Sequence, residues 1–120
     1  MSTLKLGTIA TQDGTESTEV TNVVNGSAKA WVNFNGSGTV AIRRGFNVSS
    51  ITDNSTGNFT VNFATAMTDA NYSAQVANPF ATNATSCASP FSFTAGSVKA
   101  YFSLSGVAID TGIGSVAIFS

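Results

Sequence analysis

No histidine occurs in the 120 residues, and there is only one cysteine, Cys87, and two prolines, Pro79 and Pro90. Without imidazole, Ser-His and Cys-His activation of a nucleophile is excluded, and so is the commonest transition-metal ligand. A single thiol excludes an intrachain disulfide and any multi-cysteine zinc site, so Cys87 reads as a small buried or loop thiol. Charge is scarce as well, at 9% of residues, against about 25% in ordinary soluble domains. The five cations (Lys5, Lys29, Arg43, Arg44, Lys99) are mostly scattered. They make no basic stripe of the kind that phosphate neutralisation rewards, so nucleic acid is not an expected partner. No apolar run approaches the ~18 residues of a membrane span, and no membrane insertion is expected. The opening MSTLKLGTIATQDG lacks a basic region followed by an apolar run. The expectation is a chain made in a cytoplasm and not exported by a signal of its own.

Carboxylates are too few for most acid-base chemistry. Three of the six acids (Asp13, Glu16, Glu19) fall before residue 20, leaving Asp53, Asp69 and Asp110 for the rest of the chain. Glycoside hydrolysis needs two acids flanking one bond. Asp53 in DNSTG and Asp69 in TDAN instead sit where Asp caps turn amides, and Asp110 reads the same way. A calcium loop needs several oxygens at fixed spacing, and DNSTGN offers one carboxylate. No catalytic residue, metal ligand or cofactor site is assigned, and an enzyme is not expected.

What fills the gap is Ser, Thr, Asn and Gly at polar positions, with Val, Ile and nine Phe at apolar ones. That apolar mix favours strands. From Ala28 onward the hydrophobic period is two. Ala30, Val32 and Phe34 share one face, NGSG at 35–38 supplies a hairpin turn, and Val40 and Ile42 resume the return strand. GFNVSSIT at 45–52 reads as a third strand and DNSTG at 53–57 as another turn. Phe59, Val61 and Phe63 share a face, then Tyr72, Ala74 and Val76, then Val98, Ala100, Phe102 and Leu104, with SVAIF closing the chain. Residues 78–90, which hold both prolines, read as a long exposed loop. No window keeps helical spacing over ten positions. The expected fold is all-β, an antiparallel β-sandwich (jelly-roll-like) of about eight short strands, with an extended N-terminal arm. The division is an arm or attachment segment at 1–27, extended or a pair of short strands, followed by a sandwich domain at 28–120.

In WVNF, the core set throws Trp31 to the opposite face, and Tyr101 stands in the same relation to Val98, Ala100 and Phe102. Three uses remain open for such aromatics: packing against the other sheet or the arm, a subunit interface, where aromatics are enriched, or a platform that stacks on sugar rings. Arg43 and Arg44 point to opposite faces of their strand, one solvated and the other able to bridge to a neighbour. Trp31, Tyr101 and Arg44 are therefore the candidate binding residues.

The stretch AWVNFNGSGTVAIRRGFNVSSITDNSTGNFTVNFATAMTDANYS closely resembles a module at the C-termini of fibre and tail proteins of tailed, notably marine, bacteriophages. The matching pieces are Ala30 to Asn35, Val48 to Asp53, Thr60 to Phe63, Met67 to Tyr72 and the terminal SVAIFS at 115–120. Together they span about residues 28–120. Thr68 stands where the family often has Pro, and Arg44 where it usually has a small or acidic residue. The resemblance implies a virion structural protein, typically a homotrimer, displayed outward and concerned with attachment to a host-surface glycan or other receptor. It implies no catalytic residues. The arm would then join the domain to other virion proteins of capsid or tail. A hydroxyl-rich surface on a chain without an export signal fits a particle assembled inside a cell and used outside it.

Overall fold

Alternating side chains can bury one face only if a second apolar layer closes over it, and two sheets supply that closure here. The computed structural model describes residues 2–77 and 86–120. Its strands are β1 (Thr8–Ala10), β2 (Ser17–Glu19), β3 (Ala28–Asn35), β4 (Ala41–Phe46), β5 (Val48–Ser55), β6 (Asn58–Phe63), β7 (Ser73–Ala77), β8 (Ser86–Phe91), β9 (Ser97–Leu104), β10 (Val107–Ala108) and β11 (Gly114–Phe119), with one helix, α1 (Val20–Gly26). One sheet runs β4-β3-β11-β7. The other runs β5-β6-β9, with β8 and the short β10 both paired to β9, and every pairing is antiparallel. Phe102 donates its amide to the Gly57 carbonyl and accepts from the Ile109 amide. Those two groups of one strand residue point the same way, so β10 continues the line of β6 and β8 takes the other side of β9. The eight long strands thus form two four-stranded layers, with β3–β4 and β5–β6 kept as hairpins within a layer.

The buried faces are those the alternation implies. Ala30, Val32 and Phe34 of β3, Phe59, Val61 and Phe63 of β6, Val98, Ala100 and Phe102 of β9, and Val116 and Ile118 of β11 make one core. At its centre Phe34, Phe59 and Phe102 meet edge to face, with centroids 5.4, 6.0 and 6.2 Å apart, a geometry the ring quadrupole favours. Tyr72 closes one end, its hydroxyl bonded to the carbonyls of Thr94 and Ser97, both at 2.8 Å. Burial pushes the Tyr72 phenol above its usual pKa.

Three local expectations are corrected. The third strand does not run through 45–52. Asn47 adopts φ 56° and ends β4, and β5 then starts in the other sheet. Its side-chain amide donates to the carbonyls of Lys29 (3.1 Å) and Thr65 (3.0 Å), and its Oδ1 accepts from the Thr65 amide (2.7 Å). Asparagine tolerates this left-handed conformation and bonds locally, so one residue turns the chain from one layer to the other. Of the 78–90 loop, 78–85 lies outside the described residues, whereas 86–91 is strand β8. Pro90 fits there because, among the described residues, β8 pairs with β9 alone, and an edge strand can spare an amide. Cys87 is accordingly an exposed strand residue, neither buried nor in a loop. The third correction is α1, where Val20, Val23 and Val24 repeat at helical spacing over only seven residues, too few to stand out in a longer window.

Residues 2–27 form the β1–β2 hairpin followed by α1, and every residue from 2 to 19 is exposed. The radius of gyration is 17.2 Å, against about 14 Å for a compact chain of this length. In the hairpin turn, the Asp13 carboxylate accepts from the Thr15 amide (3.0 Å) and from the hydroxyls of Thr11 and Thr15 (2.8 Å each). These bonds, the Thr15 amide foremost, favour the charged form and lower the pKa from 3.8 to about 2. A depressed carboxyl supports the turn fully above its unfolded pKa, and that support disappears as pH falls through the folded value. In an NMR titration the Thr15 amide shift is expected to move with a midpoint near 2. A midpoint at the unperturbed 3.8 would show that the turn does not hold in solution.

Candidate functional site

Trp31 and Arg44 fall on one outer face and Tyr101 on the other, so the three sequence candidates do not form a single site. Trp31 and Asn33 point outward from β3 between the buried Ala30, Val32 and Phe34. In the β3–β4 ladder Trp31 lies opposite Phe46, and Asn33 lies opposite Arg44. On its other side Trp31 pairs with Ala117 of β11. The result is a patch of Trp31, Phe46 and Ala117 with Arg44 one rung away. Trp31 is 38% exposed and Phe46 is 55% exposed, a pairing of large apolar side chains that sheets normally bury. Phe46 was missed in the sequence because the period there was read as belonging to a strand crossing Asn47. Once β4 ends at Phe46, alternation from Arg44 places both on the outer face.

The two arginines differ in what they engage. Arg43 occupies the irregular step in the β3–β4 register and donates from Nη1 to the Phe34 carbonyl at 3.1 Å. Arg44 is exposed, and among the described residues no hydrogen bond or salt bridge engages its side chain. The neighbouring Asn33 Oδ1 is buried and accepts no hydrogen bond from the described residues.

Tyr101 sits on the outer face of the β9 sheet, between Asn58 of β6 and Ser89 of β8. Much of this face is polar and bonds to itself. Asn62 Nδ2 donates to the hydroxyls of Ser50 (3.1 Å) and Thr52 (2.9 Å). Asn54 Nδ2 donates to Asn58 Oδ1 (3.1 Å) and Thr60 Oγ1 (2.8 Å). Lys99 Nζ lies 5.9 Å from the Phe91 ring centroid, within cation–π range. Donors already spent on neighbours offer little to a ligand, so the Trp31 face is the stickier of the two.

Other chemistry finds no assembled site. Asp110 Oδ1 accepts from the Gly57 amide (2.9 Å) and Asp69 Oδ1 from the Asn71 amide (2.8 Å), both structural uses. Asp53 lies in β5 opposite Phe59, not in the turn. Among the described residues no three His, Cys, Asp or Glu side chains gather as a metal set. A cleft of about 250 Å³ opens between Lys29, Asn47, Thr65, Met67 and Ser120, below the range of small-molecule sites. Asn47 there is already committed to the chain corner. No family model matches this chain, and comparison with curated proteins and with solved structures finds no match.

Proposed function

We propose that this chain is a bacteriophage virion structural protein, a surface fibre or decoration component of tail or capsid. It is self-associated as a homotrimer, concerned with host attachment and mounted through residues 1–27. The observation that carries the reading is the order and spacing of the five sequence pieces shared with the phage fibre module. Four of those pieces fall on strands of the sandwich, Ala30 to Asn35 in β3, Val48 to Asp53 in β5, Thr60 to Phe63 in β6 and 115–119 in β11, while the core strand β9 lies outside them. Met67 and Tyr72 close the core between them. The resemblance is thus one of scaffold, and it fits a part whose work is packing and display. The projecting N-terminal segment and the exposed Trp31–Phe46 pair add surfaces that a particle would cover.

The test is particle incorporation. In cells that produce the chain together with its virion partners, purified particles should carry it and display it to antibody. A chain lacking residues 2–27 should stay folded, because the whole buried core lies in 30–118, yet be missing from the particles. Particles without the full chain, or particles that take up the shortened one, would overturn the reading or the role of the arm respectively. The rival is a monomeric carbohydrate-binding module, favoured by the exposed Trp31 ring. It is distinguished on a glycan array, where loss of a specific signal in Trp31→Ala, from a chain that is monomeric throughout, would replace the proposal.

A further inference from the structure

Two surfaces are left uncovered, and they complement each other. The first is the N-terminal segment. Three carboxylates against one lysine leave residues 1–27 at −2, while four cations against three carboxylates leave 28–120 at +1, which together make the chain's −1. The segment also exposes Leu4, Leu6 and Ile9. An isolated two-stranded hairpin is marginal in water unless one face is covered, and neither face of β1–β2 is. The second surface is the β3–β4 outer face, with Trp31, Phe46 and the unengaged Arg44. It lies at a sheet edge, since among the described residues β4 pairs only with β3 and all six of its residues are exposed.

The match extends to spacing. The hairpin pairs Ile9 with Thr18, and the Thr11 amide bonds to the Glu16 carbonyl, so the ladder continues to that rung. Ile9 and Glu16 therefore share a face one rung apart. On the sandwich, the aromatic pair and Arg44 also stand one rung apart. Laying one against the other sets Ile9 on Trp31 and Phe46, and Glu16 against Arg44. The chain's own hairpin is directed elsewhere. Lys29 Nζ on the Val24 carbonyl ties the α1 C-terminus to the start of β3, and every residue of the segment from 2 to 19 stays exposed, so the hairpin does not cover that face of its own copy. The chain exposes 7268 Å², roughly 1,200 Å² more than a compact chain of its mass, where a standard interface takes about 800 Å² from each partner.

We infer that the β1–β2 hairpin of one copy lies across the β3–β4 outer face of a second copy, with Glu16 paired to Arg44 and Ile9 seated on Trp31 and Phe46. The inference rests on the reading of the chain as a self-assembling particle component and names the contact that joins its copies. It makes Arg44 a partner-selecting charge.

Charge exchange tests it. The full chain should associate with rising concentration in light scattering, with a matching blue shift of Trp31 emission as the ring leaves water. Arg44→Glu and Glu16→Lys should each weaken association by about tenfold or more, because like charges now face each other. Joining both changes in one chain should restore it to within a few-fold of the original. Both side chains are exposed, and circular dichroism checks that each variant folds. Arg44→Gln and Glu16→Gln, which remove charge without reversing it, should weaken association less and substitute for a reversal that fails to fold. A monomer at every concentration, association indifferent to Arg44→Glu, or a double variant no better than the singles would overturn the contact. Those results are independent of particle incorporation, on which the virion reading stands or falls.

Discussion

Gly57→Ala is expected to be among the most damaging single substitutions in the chain, lowering stability by about 3 kcal/mol or more. Gly57 ends the β5–β6 hairpin at φ +71°, where an L side chain costs roughly 1–2 kcal/mol. Space is the larger obstacle. A Cβ there would stand 2.5 Å from the Phe102 carbonyl oxygen and 2.9 Å from that of Ile109, both backbone atoms of the β9–β10 hairpin folded over it. Neither can yield without breaking the bonds that hold the turn, which run from the Gly57 amide to Asp110 Oδ1 (2.9 Å) and from the Phe102 amide to the Gly57 carbonyl (2.8 Å). Gly38→Ala is the matched control. It has a similar φ of +66° with nothing within 4 Å of the added carbon, so it should lose about 1 kcal/mol, the backbone cost alone. Urea unfolding midpoints of the two variants read the difference directly. Equal losses at both positions would mean that the β9–β10 hairpin does not pack on Gly57 in solution.

Phe102→Ala should cost about 3–5 kcal/mol, the range for emptying a large aromatic site in a core that collapses only partly. Against a total stability of ~5–15 kcal/mol, that is enough to leave the domain marginal or unfolded. Phe102 is fully buried and touches the rings of Phe34 and Phe59, which arrive from β3 and β6. The trio therefore joins both sheets, and the cavity would open at their junction. Phe34 is itself fixed from behind, since a Cβ on Gly114 would come within 2.4 Å of its ring, leaving little freedom to fill the gap. The comparison is Phe46→Ala, a change of identical chemistry at a 55% exposed site, which should cost the isolated chain under about 1 kcal/mol. Denaturant unfolding of both, with slopes compared to confirm a common two-state transition, decides it. Similar losses would move Phe46 into the core and remove it from the candidate interface.

The two substitutions also separate what each part of the chain does. Phe34, Phe59 and Phe102 hold the layers together and leave nothing for a partner. Phe46, more than half exposed, contributes less to the fold, and the exposed part of Trp31 stands beside it.

Much of the fold was legible because alternation is a local property. Ala30, Val32 and Phe34, or Val98, Ala100 and Phe102, declare a buried face within five residues, and the scarcity of helix-spaced apolar residues leaves strands as the main solution. The outward placement of Trp31 and Tyr101 followed from the same rule. Alternation does not say which sheet a strand joins, because β3 and β9 carry the same pattern and end in different layers. Only the tertiary structure puts Trp31 and Tyr101 on opposite faces of the sandwich. It also shows that β4 stops at Phe46, because the left-handed Asn47 is stabilised by Lys29 and Thr65, partners 18 residues away on either side. The period continues through that point in sequence and breaks in space. The need for glycine at 57 is likewise invisible locally, since the atoms that forbid a side chain belong to residues 102 and 109. Strand character and the buried side of each strand follow from neighbours one or two residues apart, which the order of residues alone contains. Layer assignment, chain reversals and the pairing of Trp31 with Phe46 were decided by contacts between distant segments, and only the folded chain brings those together.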